Sequence, residues 1–272
     1  MVAGFRYPPE RKMETTTTTT CTSTVSPRVF DTSAEGCKYV SDYIIKKIKD
    51  FAPTPEKPFV LGLPTGSSPE PVYANLVAAY KNGVISFKNV VTFNMDEYVG
   101  LSPSSDQSYH YFMYKHFFNH VDIPKENINI LDGQAEDVEK ECTEYEQKIK
   151  NIGGIHLFMG GIGPNGHIAF NEVGSSKDSV TRKISLAEST IQANSRFFKS
   201  MDEVPRYALS VGISTVLGAK EVIILAFGQN KAKAVSQSLN GEISSSCPGS
   251  FMRLHPQCQF ILDRASAVES KI

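Results

Sequence analysis

Short apolar runs alternate with amphipathic segments along most of this chain, and this alternation limits the possible folds more than any other feature. The run FVLGL at 59–63 is the clearest example, because an uninterrupted run of apolar and small residues is typical of a strand buried on both faces. Residues 33–50, just before it, space their apolar side chains three and four apart, as a helix does. The alternation predicts an α/β fold with a Rossmann-like, mostly parallel sheet and helices on both faces.

The same reasoning places the other elements of the sheet and its helices. Strands are expected at 59–63, 90–94, 128–131, 155–159, 221–227 and 259–263, and helices at 33–50, 69–81, 106–119, 136–150 and 229–239. Ligands bind such sheets beyond the carboxyl ends of the strands. The residues that follow each strand are therefore the candidates for function.

The first 28 residues differ in composition from the rest. They include six threonines in succession at 15–20, followed closely by Ser23, Ser26 and Pro27. A segment like this buries too little surface to offset the entropy lost on ordering it. We therefore expect a disordered Thr/Ser-rich tail over 1–28, with a regulatory phosphorylation segment as the alternative, and a single α/β domain over 29–272.

Charge and cysteine content exclude several classes of protein. Lys and Arg (28) nearly balance Asp and Glu (29), so no overall field would attract nucleic acid or an anionic membrane. The five cysteines form no CxxC pair, which argues against a cysteine zinc site or a disulfide framework. We find neither an apolar run of the roughly 20 residues that a membrane span needs nor a secretory signal. The expectation is a cytoplasmic protein with no nucleic-acid or membrane partner.

The segment after the strand at 59–63 is a candidate phosphate site. It contains Thr65, Gly66, Ser67 and Ser68 and then enters a helix. Backbone N–H groups and the positive end of a helix dipole both favour an anion at such a position. An ordinary loop with a serine helix cap is the alternative.

Two cationic residues are candidates to join that phosphate. Lys231 follows the strand at 221–227, in the expected first turn of a helix, and its long side chain reaches far. Arg196 lies in the segment ANSRFF at 193–198. An isolated arginine is more often a solvated charge, so the residues alone do not assign Arg196 to the site.

Two adjacent carboxylates, Asp96 and Glu97, follow the strand at 90–94. One of them can face a pocket while the other faces away. A carboxylate that removes a proton beside a carbonyl needs a partly desolvated place, so that its pKa rises towards the working pH. A capped turn is the alternative for this segment.

A glycine-rich segment, GGIGPNGHIAFNE, occupies 160–172. It matches the pattern G-x-G-x-x-G, but a dinucleotide loop needs a helix that begins among the glycines, and Pro164 argues against one. The better interpretation is a loop that brings backbone close to a ligand and presents His167. Glu172 follows five residues later, and a histidine with a nearby carboxylate after a strand is an acid–base candidate. A purely structural histidine is the alternative.

The spacing of His116 and His120 fits one face of a helix and suggests a metal pair. A third ligand at suitable spacing is missing, and the segment is dense in aromatic residues. A packed helix is the expectation, and no metal site is predicted.

Together these segments resemble the glucosamine-6-phosphate deaminase family. The matching segments are FVLGLPTGSSP (59–69), VVTFNMDEYVGL (90–101), SYHYFM (108–113), GGIGPNGHIAFNE (160–172), ANSRFF (193–198) and VPRYALSVGISTVL (204–217). They occur in order and span about 29–271, which makes the resemblance specific. It implies the conversion of D-glucosamine 6-phosphate and water to D-fructose 6-phosphate and ammonia, without a metal or organic cofactor.

The resemblance also implies roles for the candidate residues. The loop 65–68 would bind the substrate phosphate, with Arg196 and Lys231 as cationic partners. His167, held by an acidic neighbour and by Glu172, would open the sugar ring. Asp96 would then take the proton from C2 and deliver it to C1, after which water adds at C2 and ammonia leaves.

The chain departs from the family pattern at Asn165, where the family usually has aspartate. Asparagine can accept a hydrogen bond from the imidazole N–H but cannot stabilise an imidazolium by charge. We count Asn165 among the catalytic candidates and expect slower ring opening, with proton abstraction from C2 intact.

The segment 174–186, which resembles an allosteric segment of the family, has Ile184 where lysine is expected. Allosteric activation by an N-acetylated sugar phosphate is therefore not expected, and both an oligomer and a monomer remain open. Two other functions compete with the deaminase: a sugar-phosphate lactonase of related fold, and a catalytically weak sugar-phosphate sensor.

Overall fold

The computed structural model describes residues 25–195 and 198–272. The strands are β1 (Ser26–Phe30), β2 (Phe59–Leu63), β3 (Val90–Asn94), β4 (Asp96–Tyr98), β5 (Ile128–Asn129), β6 (Leu157–Gly161), β7 (Arg182–Ser185), β8 (Tyr207–Ser210), β9 (Glu221–Ala226) and β10 (Cys258–Asp263). The helices are α1 (Ser33–Phe51), α2 (Glu70–Lys81), α3 (Tyr109–His116), α4 (Val138–Asn151), α5 (Glu188–Asn194), α6 (Ile213–Leu217), α7 (Ala232–Asn240) and α8 (Arg264–Ala267).

Seven strands form one parallel sheet in the order β1-β10-β9-β6-β2-β3-β5. Successive residues of each strand point to opposite faces. In β9, Ile223 and Leu225 pack with α1 and α2 in one apolar cluster, whereas Val222 and Ile224 pack with α4 and α7 in another. The predicted α/β fold, with a parallel sheet covered by helices on both faces, is confirmed.

The order of the strands identifies the place where a ligand is expected. From β2 the chain moves outwards to β3 and β5, and then returns to the other side of β2 to form β6, β9 and β10. The direction of the connections therefore reverses between β2 and β6. At such a reversal the loops after the two neighbouring strands diverge and leave a crevice at their carboxyl ends.

A second sheet was missed by the sequence analysis. Strands β4, β8 and β7 pair in antiparallel fashion beside the main sheet, with Asp96 opposite Ser210. These strands contain three or four residues each, too few for a periodic pattern to be visible. They share a small apolar cluster of their own, made by Tyr98, Phe170, Leu186, Ile191, Val204 and Ala208.

The predicted end of the tail, at residue 28, was wrong. Residues 26–28, which we assigned to the tail, form β1 with the two residues after them, and β1 pairs in parallel with β10. This strand lies at the edge of the sheet, where Pro27 is tolerated because its missing N–H is not needed for pairing. Residues 1–24 of the predicted tail lie outside the described residues.

The predicted helices are present, with shifted ends. The segment predicted at 106–119 divides into α3 and a short 3-10 turn at Phe118–His120. Ser108 begins α3, because its Oγ accepts a hydrogen bond from the N–H of Tyr111 at 3.0 Å. The helix predicted at 229–239 opens with a 3-10 turn at Gln229–Lys231 before α7. Within the described ranges, none of these helices is long and apolar enough to cross a bilayer.

Candidate active site

Four neighbouring strands, β9, β6, β2 and β3, carry the predicted site residues at their carboxyl ends. The loop 65–68 follows β2, Asp96 follows β3, His167 lies in the segment after β6, and Lys231 lies in the turn after β9. Because these strands are parallel neighbours, the structure brings all of these residues to one edge of the sheet. Arg196 lies outside the described residues.

The loop after β2 has the features of an anion site. Gly66 adopts a left-handed φ of +101°, and the residue that begins α2 is Pro69, which makes no side-chain cap hydrogen bond. The serine cap that we considered as an alternative is therefore absent. No hydroxyl of Thr65, Ser67 or Ser68 makes a hydrogen bond within the part of the chain that the structure describes, so all three are available to a ligand.

Asp96 is a buried carboxylate without a hydrogen-bond donor among the described residues; the residue is 7% exposed. The hydroxyls of two nearby tyrosines are used elsewhere: Tyr73 donates to the carbonyl of Pro64, and Tyr145 donates to the carbonyl of Asn94 at 2.7 Å. Burial, and secondly the charge of Glu97, raise the pKa of Asp96 to about 8. A carboxyl group with such a pKa exchanges protons near neutral pH, as a catalytic base does.

Glu97 points away from Asp96, as one of the two carboxylates was expected to do. Its oxygens accept hydrogen bonds from the N–H groups of Tyr98, Tyr109 and His110, so it faces the beginning of α3. The segment is therefore a short strand rather than the capped turn that we considered, although Glu97 does accept N–H groups at the beginning of a helix. The two carboxylates have different environments.

The glycine-rich segment after β6 folds as a loop around His167. A Cβ on Gly163 would lie 2.2 Å from the imidazole Nε2, so only glycine lets the ring lie against this backbone. Gly166 has a φ of +87°, and its carbonyl accepts a hydrogen bond from the N–H of Gly249 at 2.7 Å. Ala169 is also left-handed, with a φ of +52°, a strain that is common at functional sites.

No helix begins among these glycines, although the whole segment 160–172 is described. The first helix after β6 is α5, which begins at Glu188. The interpretation of this loop as something other than a dinucleotide fingerprint is therefore supported by the backbone.

Glu172 is surrounded by donors. Its Oε2 accepts a hydrogen bond from Asn165 Nδ2 at 2.7 Å and lies 3.4 Å from His167 Nδ1, and its Oε1 accepts a hydrogen bond from Thr190 at 2.6 Å. Burial alone would raise its pKa, but the contacts with His167, Thr190 and Asn165 outweigh burial and lower the pKa of Glu172 to about 2. Glu172 is therefore a permanent anion that faces the imidazole of His167.

Asn165 does not contact the imidazole in the way that the sequence suggested. Its Oδ1 accepts a hydrogen bond from the backbone N–H of His167 at 3.2 Å, while its Nδ2 donates to Glu172. The side chain thus holds the loop and orients Glu172. The ring nitrogen Nδ1 of His167 is buried and has no hydrogen-bond partner of good geometry in the described residues, which leaves Glu172 as its nearest acceptor.

Ser210 links Asp96 to the loop that carries His167 and Glu172, and the sequence analysis missed it. It pairs with Asp96 across the small sheet, and its hydroxyl accepts a hydrogen bond from the N–H of Phe170 at 3.1 Å, between His167 and Glu172. Thr190, on α5, was missed as well. Neither residue follows a strand of the large sheet, and a serine or threonine without a motif gives no signal in a single sequence.

The described residues contain no group of three or more His, Cys, Asp or Glu side chains arranged to hold a metal ion. His116 lies 3.5 Å from Glu70 Oε1, and its ring packs on Phe112. His120 Nε2 contacts the carbonyl of Lys115 at 2.8 Å. These histidines therefore hold the end of a packed helix.

Comparison with known proteins places this site in a family. A model of the glucosamine-6-phosphate isomerases/6-phosphogluconolactonase family matches residues 31–260. The chain is 53% identical to a glucosamine-6-phosphate isomerase of Candida albicans over 248 residues, which are 90% of this chain and 98% of that protein. It is 54% identical to a glucosamine-6-phosphate deaminase of Treponema denticola over 246 residues, 90% of this chain and 91% of that protein.

A solved structure of a monomeric glucosamine-6-phosphate deaminase has a similar fold. It superposes with a TM-score of 0.85 at 39% identity, over 90% of this chain and 99% of that chain. The resemblance inferred from the motifs is confirmed: the chain belongs to the glucosamine-6-phosphate deaminase/isomerase family.

Proposed function

We propose that this chain is a cytoplasmic glucosamine-6-phosphate deaminase, which converts D-glucosamine 6-phosphate and water to D-fructose 6-phosphate and ammonia. The observation that carries the proposal is the environment of Asp96. A buried carboxylate that receives no hydrogen bond from the described residues and has a pKa raised to about 8 has the properties of a base that removes a proton from carbon. The names of the curated relatives support the same substrate.

The substrate phosphate binds to the loop 65–68 in this proposal. The three hydroxyls, which make no hydrogen bond to any described residue, and the left-handed turn at Gly66 support an anion there, and the loop lies beside the reversal point between β2 and β6. Lys231, from the turn after β9, and Arg196 supply positive charge.

His167 opens the sugar ring by moving a proton between the ring oxygen and the C1 hydroxyl. Glu172 supports this step, because an anion beside Nδ1 stabilises the imidazolium that forms when Nε2 takes a proton. Asn165 keeps Glu172 in place through its amide.

Asp96 then carries out the isomerisation. It removes the proton from C2 of the open-chain aldehyde, which gives an enolamine with the hydroxyl on C1 and the amino group on C2, and it returns a proton to C1. The imine formed at C2 adds water to give a carbinolamine. Its hydroxyl loses a proton as the C=O bond of the ketone forms, and ammonia leaves with the electrons of the broken C–N bond. A lactonase hydrolyses an ester and needs no carboxylate to remove a carbon-bound proton, so a bare, buried Asp96 favours the deaminase.

The deciding experiment measures ammonia released from glucosamine 6-phosphate by the purified protein, and hydrolysis of 6-phosphogluconolactone, for wild type and Asp96→Asn. We expect ammonia from wild type only. Lactone hydrolysis that survives Asp96→Asn, without ammonia from wild type, would establish the lactonase, and binding of the sugar phosphate with neither reaction would establish the sensor.

A further inference from the structure

Glu97 is a buried carboxylate for which the reaction has no direct use. The residue is 3% exposed, and it lies next to Asp96 in β4. Its Oε1 accepts hydrogen bonds from the N–H groups of Tyr98 at 2.8 Å and Tyr109 at 3.0 Å, and its Oε2 accepts one from His110 at 2.8 Å. Burying a carboxylate is costly unless donors compensate for the lost water, and here three donors do so.

These donors favour the ionised form of the carboxylate. Two of them are the first two N–H groups of α3, and Ser108 Oγ accepts the third, from Tyr111. The beginning of a helix carries partial positive charge, which stabilises an anion there. Burial raises the pKa of Glu97 above its ordinary value; the three N–H groups oppose burial and limit the rise, to which the charge of Asp132 adds.

Through these hydrogen bonds Glu97 connects the strand that carries Asp96 with the loop that presents His167. It holds β4, which carries Asp96, to the beginning of α3. From α3, the ring of Tyr109 stacks on Phe170 with 6.1 Å between the ring centroids and 5° between the planes. Phe170 belongs to the loop that presents His167. A displacement of Glu97 therefore moves Asp96 relative to this loop.

Glu97 is also the charged neighbour of Asp96. Of the described ionisable groups, only Glu97 contributes a charge that raises the pKa of Asp96, after burial. The other ionisable groups that interact with Asp96 are tyrosines of α2, β4, α3 and α4, and the pKa of each is raised, so they are neutral at assay pH: Tyr73, Tyr98, Tyr109 and Tyr145.

We propose that Glu97 is a positioning residue for Asp96: its carboxylate fixes the strand end that carries Asp96 against α3 and keeps a negative charge beside it. The inference rests on the proposed function, in which Asp96 is the base. Glu97 touches no substrate in this scheme and acts only through Asp96 and α3.

Two variants separate the charge of Glu97 from its geometry. Glu97→Gln keeps the length of the side chain and removes the charge, whereas Glu97→Asp keeps the charge and shortens the reach to α3. Glu35→Gln is the matched control, because Glu35 also accepts backbone N–H bonds at the beginning of a helix, at 3.1 Å from Asp31 and 3.3 Å from Thr32, but lies on α1 and on the surface.

The readout is the pH dependence of kcat/KM for ammonia release. Removing a like charge favours the ionised form of Asp96, so Glu97→Gln should move the acidic limb to lower pH by on the order of one unit. Glu97→Asp should leave the limb in place and lower kcat by roughly tenfold, with little change in KM. Glu35→Gln should change neither. An unmoved limb in Glu97→Gln, or wild-type kcat in Glu97→Asp, overturns the proposal, and if Glu97→Gln does not fold, Glu97→Asp decides it.

A second readout does not depend on the enzyme's activity. The difference in unfolding free energy between Asp96→Asn and a protein that retains Asp96 follows the ionisation of Asp96. This difference is measured from pH 4 to 9, once with Glu97 in both proteins and once with Glu97→Gln in both. The pH range over which the difference changes should lie lower in the pair with Glu97→Gln. The same midpoint with and without Glu97→Gln refutes the role of Glu97. Absence of ammonia release by wild type, with a shifted midpoint, refutes only the proposed function.

Discussion

The carboxylates of Asp96, which is buried, and Glu172, which is partly buried, both lie at the carboxyl edge of one sheet, yet their pKa values move in opposite directions. Burial raises the pKa of Asp96 to about 8, because no described donor compensates for the lost water. Burial acts on Glu172 too, but His167, Thr190 and Asn165 outweigh it and lower the pKa to about 2. Donors thus decide which carboxylate exchanges protons and which remains a fixed charge.

The largest effect is expected from Asp96→Asn, which removes the base and keeps the shape. Ammonia release should fall by about 10³-fold or more, within the range of general-base catalysis. Steady-state kinetics with glucosamine 6-phosphate measures this. Retention of more than a tenth of the wild-type rate would mean that another group removes the C2 proton.

The same substitution should stabilise the protein at high pH. The folded-state pKa of Asp96 is raised from 3.8 to about 8, so the folded state retains a proton that the unfolded state has lost. Wild type therefore loses stability as the pH rises from about 4 to about 8, and Asp96→Asn does not. Thermal unfolding should show a melting temperature for Asp96→Asn that exceeds that of wild type at pH 8 but not at pH 4. Equal differences at both pH values would contradict the bare environment of Asp96.

The next largest effect is expected from Glu172→Gln, which removes the charge opposite His167. We expect kcat to fall by roughly 10- to 100-fold, because the imidazolium loses its stabilising anion. The pKa of Glu172 is lowered, so its contribution to stability is present above about pH 4.5 and is lost as the pH falls towards 2. Acid unfolding curves of wild type should steepen in this window, and those of Glu172→Gln should not.

Asn165→Asp tests whether a negative charge at residue 165 or the hydrogen bond that Asn165 donates to Glu172 matters more for catalysis. A second carboxylate can stabilise the imidazolium, but it also replaces a donor that lies 2.7 Å from Glu172 Oε2. Two carboxylates this close share a proton at low pH. We expect turnover to rise by roughly tenfold or less at pH 8 and not at pH 6. A rate that does not rise at either pH would show that the missing charge at this position is not limiting.

Of the four substitutions considered, Thr190→Val should have the smallest effect on activity. It removes one hydrogen bond to Glu172 and keeps the shape of the side chain, at a cost of about 1 kcal/mol. We expect a loss of a fewfold in kcat and a shift of the acid-dependent loss of stability to higher pH. Thr143→Val, on the exposed surface of α4, is the control, because its hydroxyl also donates one hydrogen bond, to the backbone carbonyl of Glu139.

Much of the large sheet is determined by local sequence. The strands predicted at 59–63 and 90–94 are found at those residues, and the other predicted strands are found within a few residues. Burial of both faces leaves a run of apolar residues that is visible without knowledge of any partner. The post-strand segments with Thr65–Ser68, Asp96 and His167 follow from the same pattern, because the carboxyl ends of parallel strands share an edge.

Only the tertiary structure decided which of the carboxylates is bare and which is held. The donor on Thr190 lies 18 residues from Glu172, and the N–H of His110 lies 13 residues from Glu97. Strands β4, β7 and β8 come together from three distant segments, and β1 needs β10 as its partner. The chain by itself specifies where acidic and basic groups occur, but a pKa depends on donors and charges within a few ångströms, and folding alone brings those together.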